Sequence, residues 1–387
     1  MNFSPWSAYS GGGQRSTHNL AVALARRGHD VSVVYTKPPW EEVAVPGALP
    51  YRLVWAELVA HHSRSAALLR PLTALTVARR VARLLGSDGR TIVHGNGEEA
   101  CLIPTLRKRA RFGFVLTPRY PAFPASMYDG AWRGRPLRRA ALSIRHTKYV
   151  MLGRGLRSAD LWCATSASSA RETGRVFGLE ASRMRVVHNG ISHEFLDENA
   201  GDASPRPVSR SLGVFFGRIA KEKGVHSVIE ALAMTGASVA EFVFVGRGPE
   251  VDAVRARASQ LGRAERVRFE PWLDTEDLVA LVKQARIAVL PSFEESFGNT
   301  MAEAMALGVP VVSTTAGSIP EVIHHEQSGL LVPPGDVPAL AAAIRRVMAD
   351  AALASRLGEA GRKRALAHFT WDAAAETFEH HYETLLR

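Results

Sequence analysis

"PSFEESFGNTMAEAMALGVPVV", residues 291–312, is entered from a short apolar run, Ile287 to Leu290, and closes on a second one. Pro291 and Ser292 end the first run, polar and acidic residues with one glycine follow, and a helix opens near Asn299. Strand, loop, helix, strand is the repeating unit of a parallel sheet with helices on both faces. The stretch also places Glu295 before the helix and Glu303 in its first turns, eight residues apart. A chain needing only a stable helix start has simpler means, and acids favour first turns in any case, so a solvated helix start is the competing reading.

The same alternation runs outward in both directions. Toward the C-terminus it continues through "VPVVSTT" (309–315) and "GLLVPPG" (329–335); toward the N-terminus it passes through "RIAVLPS" (286–292), "RVRFEPW" (266–272), "EFVFVGRG" (241–248) and "LGVFFGR" (212–218). A polar stretch, "DENAGDASPRPVSRS" (197–211), interrupts it and reads as an interdomain linker. Before it lies a second set of short β-rich runs: "DVSVVYT" (30–36), "TIVHG" (91–95), "GFVLTP" (113–118), "DLWCATS" (160–166) and "MRVVHNG" (184–190). The expected fold is α/β: two Rossmann-like doubly wound parallel-sheet domains, 1–196 and 212–369, facing each other across a cleft. A terminal helix over 370–387 is expected at the domain junction. Ligands of doubly wound sheets sit at the carboxyl ends of the strands, which would line that cleft. Only "MNFSPWSAYS" precedes the first glycine run, so either the opening strand is very short or the N-terminus begins a few residues late.

Charge divides the chain as sharply. The net charge is +11, yet residues 1–187 hold 28 Lys and Arg against 11 Asp and Glu, while 188–387 hold 20 against 26. The first half should therefore attract an anionic partner. "RGRPLRRAALSIRHTKYVMLGRGLRS" (133–158) and "RKRAR" (107–111) concentrate that charge; each is either a solvated surface or a face for anionic lipid or an anionic acceptor. "RYPAFP" (119–124) is either a lining of the acceptor pocket or a Pro-rich turn. Cys101 and Cys163 lack metal-site spacing and read as buried, inert thiols of a cytosolic protein. No run of eighteen apolar residues suggests a membrane span, and no secretion signal opens the chain.

A helix N-terminus offers unpaired N–H groups and a partial positive charge, which makes it an anion site. Phe297, Gly298, Asn299 and Thr300 would supply those amides, with Gly298 allowing close approach. Two carboxylates beside an anion site suit a ligand with hydroxyls on either side of its charge, as in a nucleotide sugar. Glu295 would meet the sugar hydroxyls and Glu303 the ribose pair. "FFGRIAKEKG" (215–224) adds Arg218 and Lys223 to hold the diphosphate and the charge that develops on it as it leaves. No Asp-x-Asp triplet stands out as a metal holder, and neither metal nor cofactor is expected beyond the nucleotide sugar itself.

"GRIAKEKG", "VGRGPE", "PSFEESFGNTMAEAMALGVPVV" and "GSIPEVIHHEQSGLLVPPGD" together resemble the donor domain of family 4 glycosyltransferases, retaining enzymes of the GT-B fold. Glu295 and Glu303 match the two ends of the family's E-x7-E motif. The resemblance covers 212–370 and, more loosely, "SGGGQRSTHNLAVALARRGHDVSVV" and "VVHNGIS". It implies that the glycine run Gly11 to Gly13, with Gly12 and Gly13 closest, approaches the donor diphosphate from the acceptor-binding first domain. It also implies retention of anomeric configuration. The chain departs from the family at "HGNGEE", where Asn96 replaces the second histidine of His-x-His and His94 remains. It departs again at Ser192 and at Arg247. His94 is either near the reacting sugar or a core histidine; Trp272 and Phe297 read as packing residues; the glycine run alone would be an ordinary turn. The expected activity is transfer of a hexosyl unit to a hydroxyl acceptor, either a lipid-linked or envelope glycan at the inner membrane face or a soluble small molecule. A phosphorylase or epimerase on the same fold is a neighbouring alternative. Non-specific nucleic-acid binding would explain the charge but none of these motifs.

Overall fold

The computed structural model describes residues 5–6, 12–45, 47–58, 66–86, 89–119, 147–196, 211–236 and 238–387. In chain order the strands are β1 (Ser32–Lys37), β2 (Arg52–Glu57), β3 (Ile92–Gly95), β4 (Gly113–Leu116), β5 (Leu161–Ala164), β6 (Arg185–Val186), β7 (Leu212–Phe216), β8 (Glu241–Val245), β9 (Val267–Glu270), β10 (Ile287–Val289), β11 (Val311–Thr314) and β12 (Leu330–Val332). The helices are α1 (Gly12–Arg26), α2 (Ala66–Ala82), α3 (Thr147–Ser158), α4 (Ala167–Phe177), α5 (Val225–Met234), α6 (Val251–Gln260), α7 (Thr275–Gln284), α8 (Asn299–Ala306), α9 (Ile319–Val322), α10 (Val337–Ala349), α11 (Ala351–His368) and α12 (Trp371–Leu386).

Two compact units result, one of residues 1–190 with 371–387, the other of 191–370. The expected linker, 197–211, lies outside the described residues except for Ser211. The division falls earlier, at Gly190, because Phe195 is buried in the second core and the Ile191 amide donates to the Phe369 carbonyl at 2.8 Å. The chain returns to the first unit at Trp371. The terminal helix, expected at the junction, packs within the first unit on α1 and β4.

The second unit holds one six-stranded parallel sheet in the order β12-β11-β10-β7-β8-β9. In this arrangement β7 and β10 are neighbours, with Ile287 opposite Gly213, and the sheet grows outward from them in opposite directions. That reversal is the switch point at which doubly wound sheets bind ligands. All five residues of β7 are buried, as are all of β10 and β11, which is what covering both faces demands.

The first unit has a four-stranded parallel sheet, β3-β4-β5-β6, and a parallel pair, β1-β2. β2 is only partly buried: its ends Arg52 and Glu57 are exposed, Leu53 to Trp55 are half-buried and Ala56 alone is buried. Helix α1 begins at Gly12, and Ser16 and Thr17, residue types that commonly cap helices, are buried inside it rather than at its start. Gly12 and Gly13 thus belong to a helical first turn, not to a loop. Helix α12 lays Trp371, Ala374, Ala375 and Phe378 against Leu20, Ala23, Val115, Cys163 and Val187. Among the described residues no helix is long and apolar enough to cross a membrane.

Of the basic stretch 133–158, the first part lies outside the described residues; its remainder is α3, with Tyr149, Met151, Leu152 and Leu156 buried and Arg154 and Arg157 exposed. The 107–111 cluster is exposed apart from Ala110, and Arg107 pairs with Asp160 at 2.5 Å. Residues 120–124 of the "RYPAFP" segment lie outside the described residues. Both cysteines are free and buried, and burial pushes Cys101 up to about 11 and Cys163 up to about 12.

Candidate active site

Two loops flank the switch point of the second unit. One follows β7 and carries Arg218 and Lys223; the other follows β10 and carries Glu295. Backbone contact holds them together: the Phe293 amide donates to the Glu222 carbonyl at 2.8 Å. Gly224, at φ +69°, lies so close that a Cβ there would sit 2.1 Å from the Pro291 carbonyl oxygen. A glycine is required on both counts.

Lys223 Nζ donates to Glu295 Oε1 at 2.5 Å, and Ser292 Oγ donates to the same oxygen at 3.0 Å. Glu295 Oε2 accepts no hydrogen bond from the described residues. The Glu295 main chain is fixed as well, since the Ser318 amide and hydroxyl both donate to its carbonyl, at 3.3 and 3.2 Å. Gly317, at φ +54°, makes that approach possible; a Cβ would lie 2.6 Å from the same oxygen. The side chain is therefore aimed by a neighbour three residues back and a lysine 72 residues away, and the main chain by a serine 23 residues on. Arg218 is exposed and ion-paired with Glu222, four residues on.

Gly298, at φ +106°, caps α8 from the left-handed region. Met301, Ala302, Ala304, Met305 and Ala306 are buried beneath the helix, which leaves Asn299, Thr300 and Glu303 on the partly open face. Helical geometry stacks Glu303 over Asn299 and Thr300 at i+4 and i+3 spacing. Gly217, after β7, lies 3.6 Å (as a Cβ) from the Thr300 methyl, so the Arg218 loop adjoins the start of α8. Arg218, Lys223, Glu295, Asn299, Thr300 and Glu303 thus share one end of the second unit's sheet. Phe297 does not present its side chain there. It is buried in a T-shaped contact with Phe369, ring centres 5.3 Å apart, which leaves only its backbone for a ligand.

The other expected site residues, His94 and Asn96, follow or end β3 in the first unit. His94 shares hydrogen bonds with the Tyr382 hydroxyl (2.6 Å, Nδ1) and with Thr117 Oγ1 (2.7 Å, Nε2). Burial, helped by the charge of Arg119, lowers its pKa to about 3. Both nitrogens being engaged, it is a neutral structural histidine that ties α12 to β3. Asn96 donates to Thr17 Oγ1 at 3.2 Å and accepts from Arg119 Nε at 3.1 Å; Arg119 Nη1 donates in turn to Asn189 Oδ1 at 2.8 Å. Sequence reasoning passed over Ser292, Ser318 and Arg119. The first two act through contacts that no spacing reveals, and Arg119 was only the leading residue of a Pro-rich segment. Among the described residues no three His, Cys, Asp or Glu side chains are grouped as metal ligands.

An anion-competent helix start, two cations and two acids meet at the switch point of one Rossmann-like unit, with a second such unit in the same chain, as the resemblance to GT-B glycosyltransferases implies. Comparison with known proteins agrees. Residues 10–195 match the model "Glycosyltransferase Family 4" and 198–364 match "Glycosyl transferases group 1", and the chain belongs to this glycosyltransferase family. It is similar to glycogen synthase of Mycobacterium tuberculosis, at 29% identity across 94% of this chain and 89% of that one. Among solved structures, sucrose-phosphate synthase from Thermosynechococcus elongatus superposes with a TM-score of 0.76 at 25% identity, covering 97% and 94% of the two chains. Anabaena Alr3699/HepE in complex with UDP-glucose shares the fold at a TM-score of 0.69 and 18% identity, over 99% and 98%.

Proposed function

We propose that this chain is a retaining, metal-independent hexosyltransferase using a nucleotide-diphosphate sugar. The observation that carries the reading is the Lys223–Glu295 pair beside the open face of α8. Lys223, Arg218 and the first amides of α8 bind the diphosphate; Glu295 Oε2 accepts from sugar hydroxyls and Glu303 from the ribose. As the acceptor oxygen bonds to the anomeric carbon, the bond from that carbon to the phosphate oxygen breaks, the nucleoside diphosphate leaves with the electron pair, and the hydroxyl proton passes to the departing phosphate oxygen. Its growing charge falls on groups already oriented in the second unit, which is the larger source of rate enhancement in such chemistry. The UDP-glucose complex of a protein with this fold supports the donor class. Two side-chain cations carry the charge that a divalent ion carries in other transferases, so a chelator should leave turnover intact.

Donor turnover with UDP-, GDP- and ADP-hexoses tests the reading directly. Arg218→Ala and Glu303→Ala are each expected to lower it by about tenfold or more; unchanged turnover in both would end the proposal. The acceptor is a lipid-linked or envelope glycan met at an anionic membrane face, supported by the excess of cations in the first half of the chain. Flotation with anionic vesicles reads this, and no binding at moderate salt favours a soluble acceptor instead.

A further inference from the structure

Arg119 is a half-buried cation of the first unit with no ion-pair partner among the described residues. Three other guanidinium groups of that unit meet carboxylates: Arg70 meets Glu98 at 2.6 Å, Arg107 meets Asp160 at 2.5 Å, and Arg27 meets Glu379. Arg119 has only the carboxamides of Asn96 and Asn189, one through Nε and one through Nη1. No described residue accepts from Nη2, and no described carboxylate lies within ion-pair distance of the group. The acidic groups that do face it are Tyr382 and Cys163, and burial holds both well above their ordinary values, so they stay protonated and uncharged near neutrality. His94, close enough to feel the charge, is neutral too.

A half-buried guanidinium held on neutral partners alone keeps much of its charge unanswered, and such groups are retained where something else completes them. The position is telling. Asn96 follows β3 directly, Arg119 stands three residues past β4, and Asn189 three past β6. All three therefore project from the carboxyl ends of one parallel sheet, where doubly wound units receive ligands. Thr17, from α1, steadies Asn96 from the side. The carboxamides fix the plane of the fork without neutralising it, which suits a two-point grip on an oxyanion.

We propose that Arg119, set by Asn96 and Asn189, binds an oxyanion carried by the acceptor, a phosphate or carboxylate on the same molecule as the hydroxyl that is glycosylated. This rests on the transferase reading above, and it adds that the acceptor, glycan or soluble molecule, carries an acidic group. The donor diphosphate is the other source of such a group, but it already has Lys223, Arg218 and the α8 amides in the second unit.

Titration calorimetry of the full-length protein without any sugar donor separates these cases. The probes are inorganic phosphate, glucose 6-phosphate, glucuronate and, as the neutral control, glucose. At least one charged probe should bind, and Arg119→Met should weaken it roughly ten- to a hundredfold, with Arg119→Lys between the two. Asn96→Asp places a carboxylate against Arg119 Nε and should weaken the same probe to a similar degree with no loss of thermal stability, which excludes misfolding as the cause. Probe binding that survives both Arg119→Met and Asn96→Asp, or no charged probe binding to the wild type, overturns the inference. A parallel titration with UDP reads the source: if Arg119→Met weakens UDP as much as phosphate, the oxyanion is the donor's and the acceptor assignment falls. Donor turnover measured alongside keeps the two proposals apart, because probe binding without turnover sinks the transferase reading alone, and turnover without probe binding sinks this one alone.

Discussion

Glu295 has one carboxylate oxygen occupied by Lys223 and Ser292 and the other uncommitted, while its carbonyl is pinned by Ser318. A residue held this way would not need to reorganise to meet a sugar hydroxyl. Lys223 neutralises Glu295, and under the proposed function it also meets the diphosphate. Lys223→Met should therefore lower kcat for donor turnover by about a hundredfold, the scale of losing one preorganised charge, with a smaller change in KM. An equal loss in Lys223→Arg would mean that the side-chain geometry, not the charge, is what matters. His94 makes the opposite kind of prediction. Its folded pKa, about 3, lies below the unfolded value of 6.5, so between those pH values the unfolded chain binds the extra proton. The contribution to stability is complete above about pH 6.5 and is lost as pH falls toward 3. At pH 5 the loss amounts to about 2 kcal/mol relative to neutrality. His94→Gln should flatten that part of the Tm-against-pH curve; an unchanged slope would show that other groups set it. The E-x7-E spacing and the two cations were legible because their chemistry is local to a loop. The role of His94 was not, since its partner Tyr382 lies 288 residues away.

At the level of elements, each unit is legible to the degree that its strands are buried on both faces. β7, β10 and β11 are buried throughout and stand out in the sequence; β2, with exposed Arg52 and Glu57 at its ends and a half-buried middle, does not. The start of α1 is hidden for a different reason. Ser16 and Thr17 look like caps, but their polar groups are used inside the fold, and the glycines before them are free to extend the helix backward. Loop crossings are the least visible feature of all. The turn after β8 rests on the turn after β7 so tightly that a Cβ at Gly246, φ +142°, would lie 1.9 Å from the Gly217 carbonyl oxygen. Gly246→Ala should cost about 3 kcal/mol or more and displace the neighbouring Arg218. Gly236→Ala is the control, with φ +64° but nothing within 4 Å of the added methyl, and should cost about 1 kcal/mol. Chemical denaturation of the pair reads the difference, and equal costs would show that φ alone, and not the crossing, is responsible.

Over the whole molecule the chain leaves the first unit after Gly190 and comes back at Trp371, and the two passes run side by side. Ile191 pairs with Thr370 in the second unit, while Gly190 lies against Trp371 in the first, where a Cβ would come within 2.3 Å of the Trp371 nitrogen. A polar, proline-containing segment at 197–211 drew the boundary in the sequence reading because composition marks exposure. The return crossing is a tertiary contact and leaves no such mark. Its consequence is that the last helix of the chain completes the core of the first unit, with Phe378 buried beside His94, ring centres 5.0 Å apart. Each unit has its own core, so calorimetry should resolve two transitions. Phe378→Ala, removing a large buried ring, should destabilise the first unit by about 3–5 kcal/mol and move one transition down while the other stays. A nucleoside diphosphate that binds the second unit should raise the transition that Phe378→Ala leaves in place. Were both transitions to fall together in that variant, the two units would be unfolding as one, and the independence argued from their separate cores would be lost.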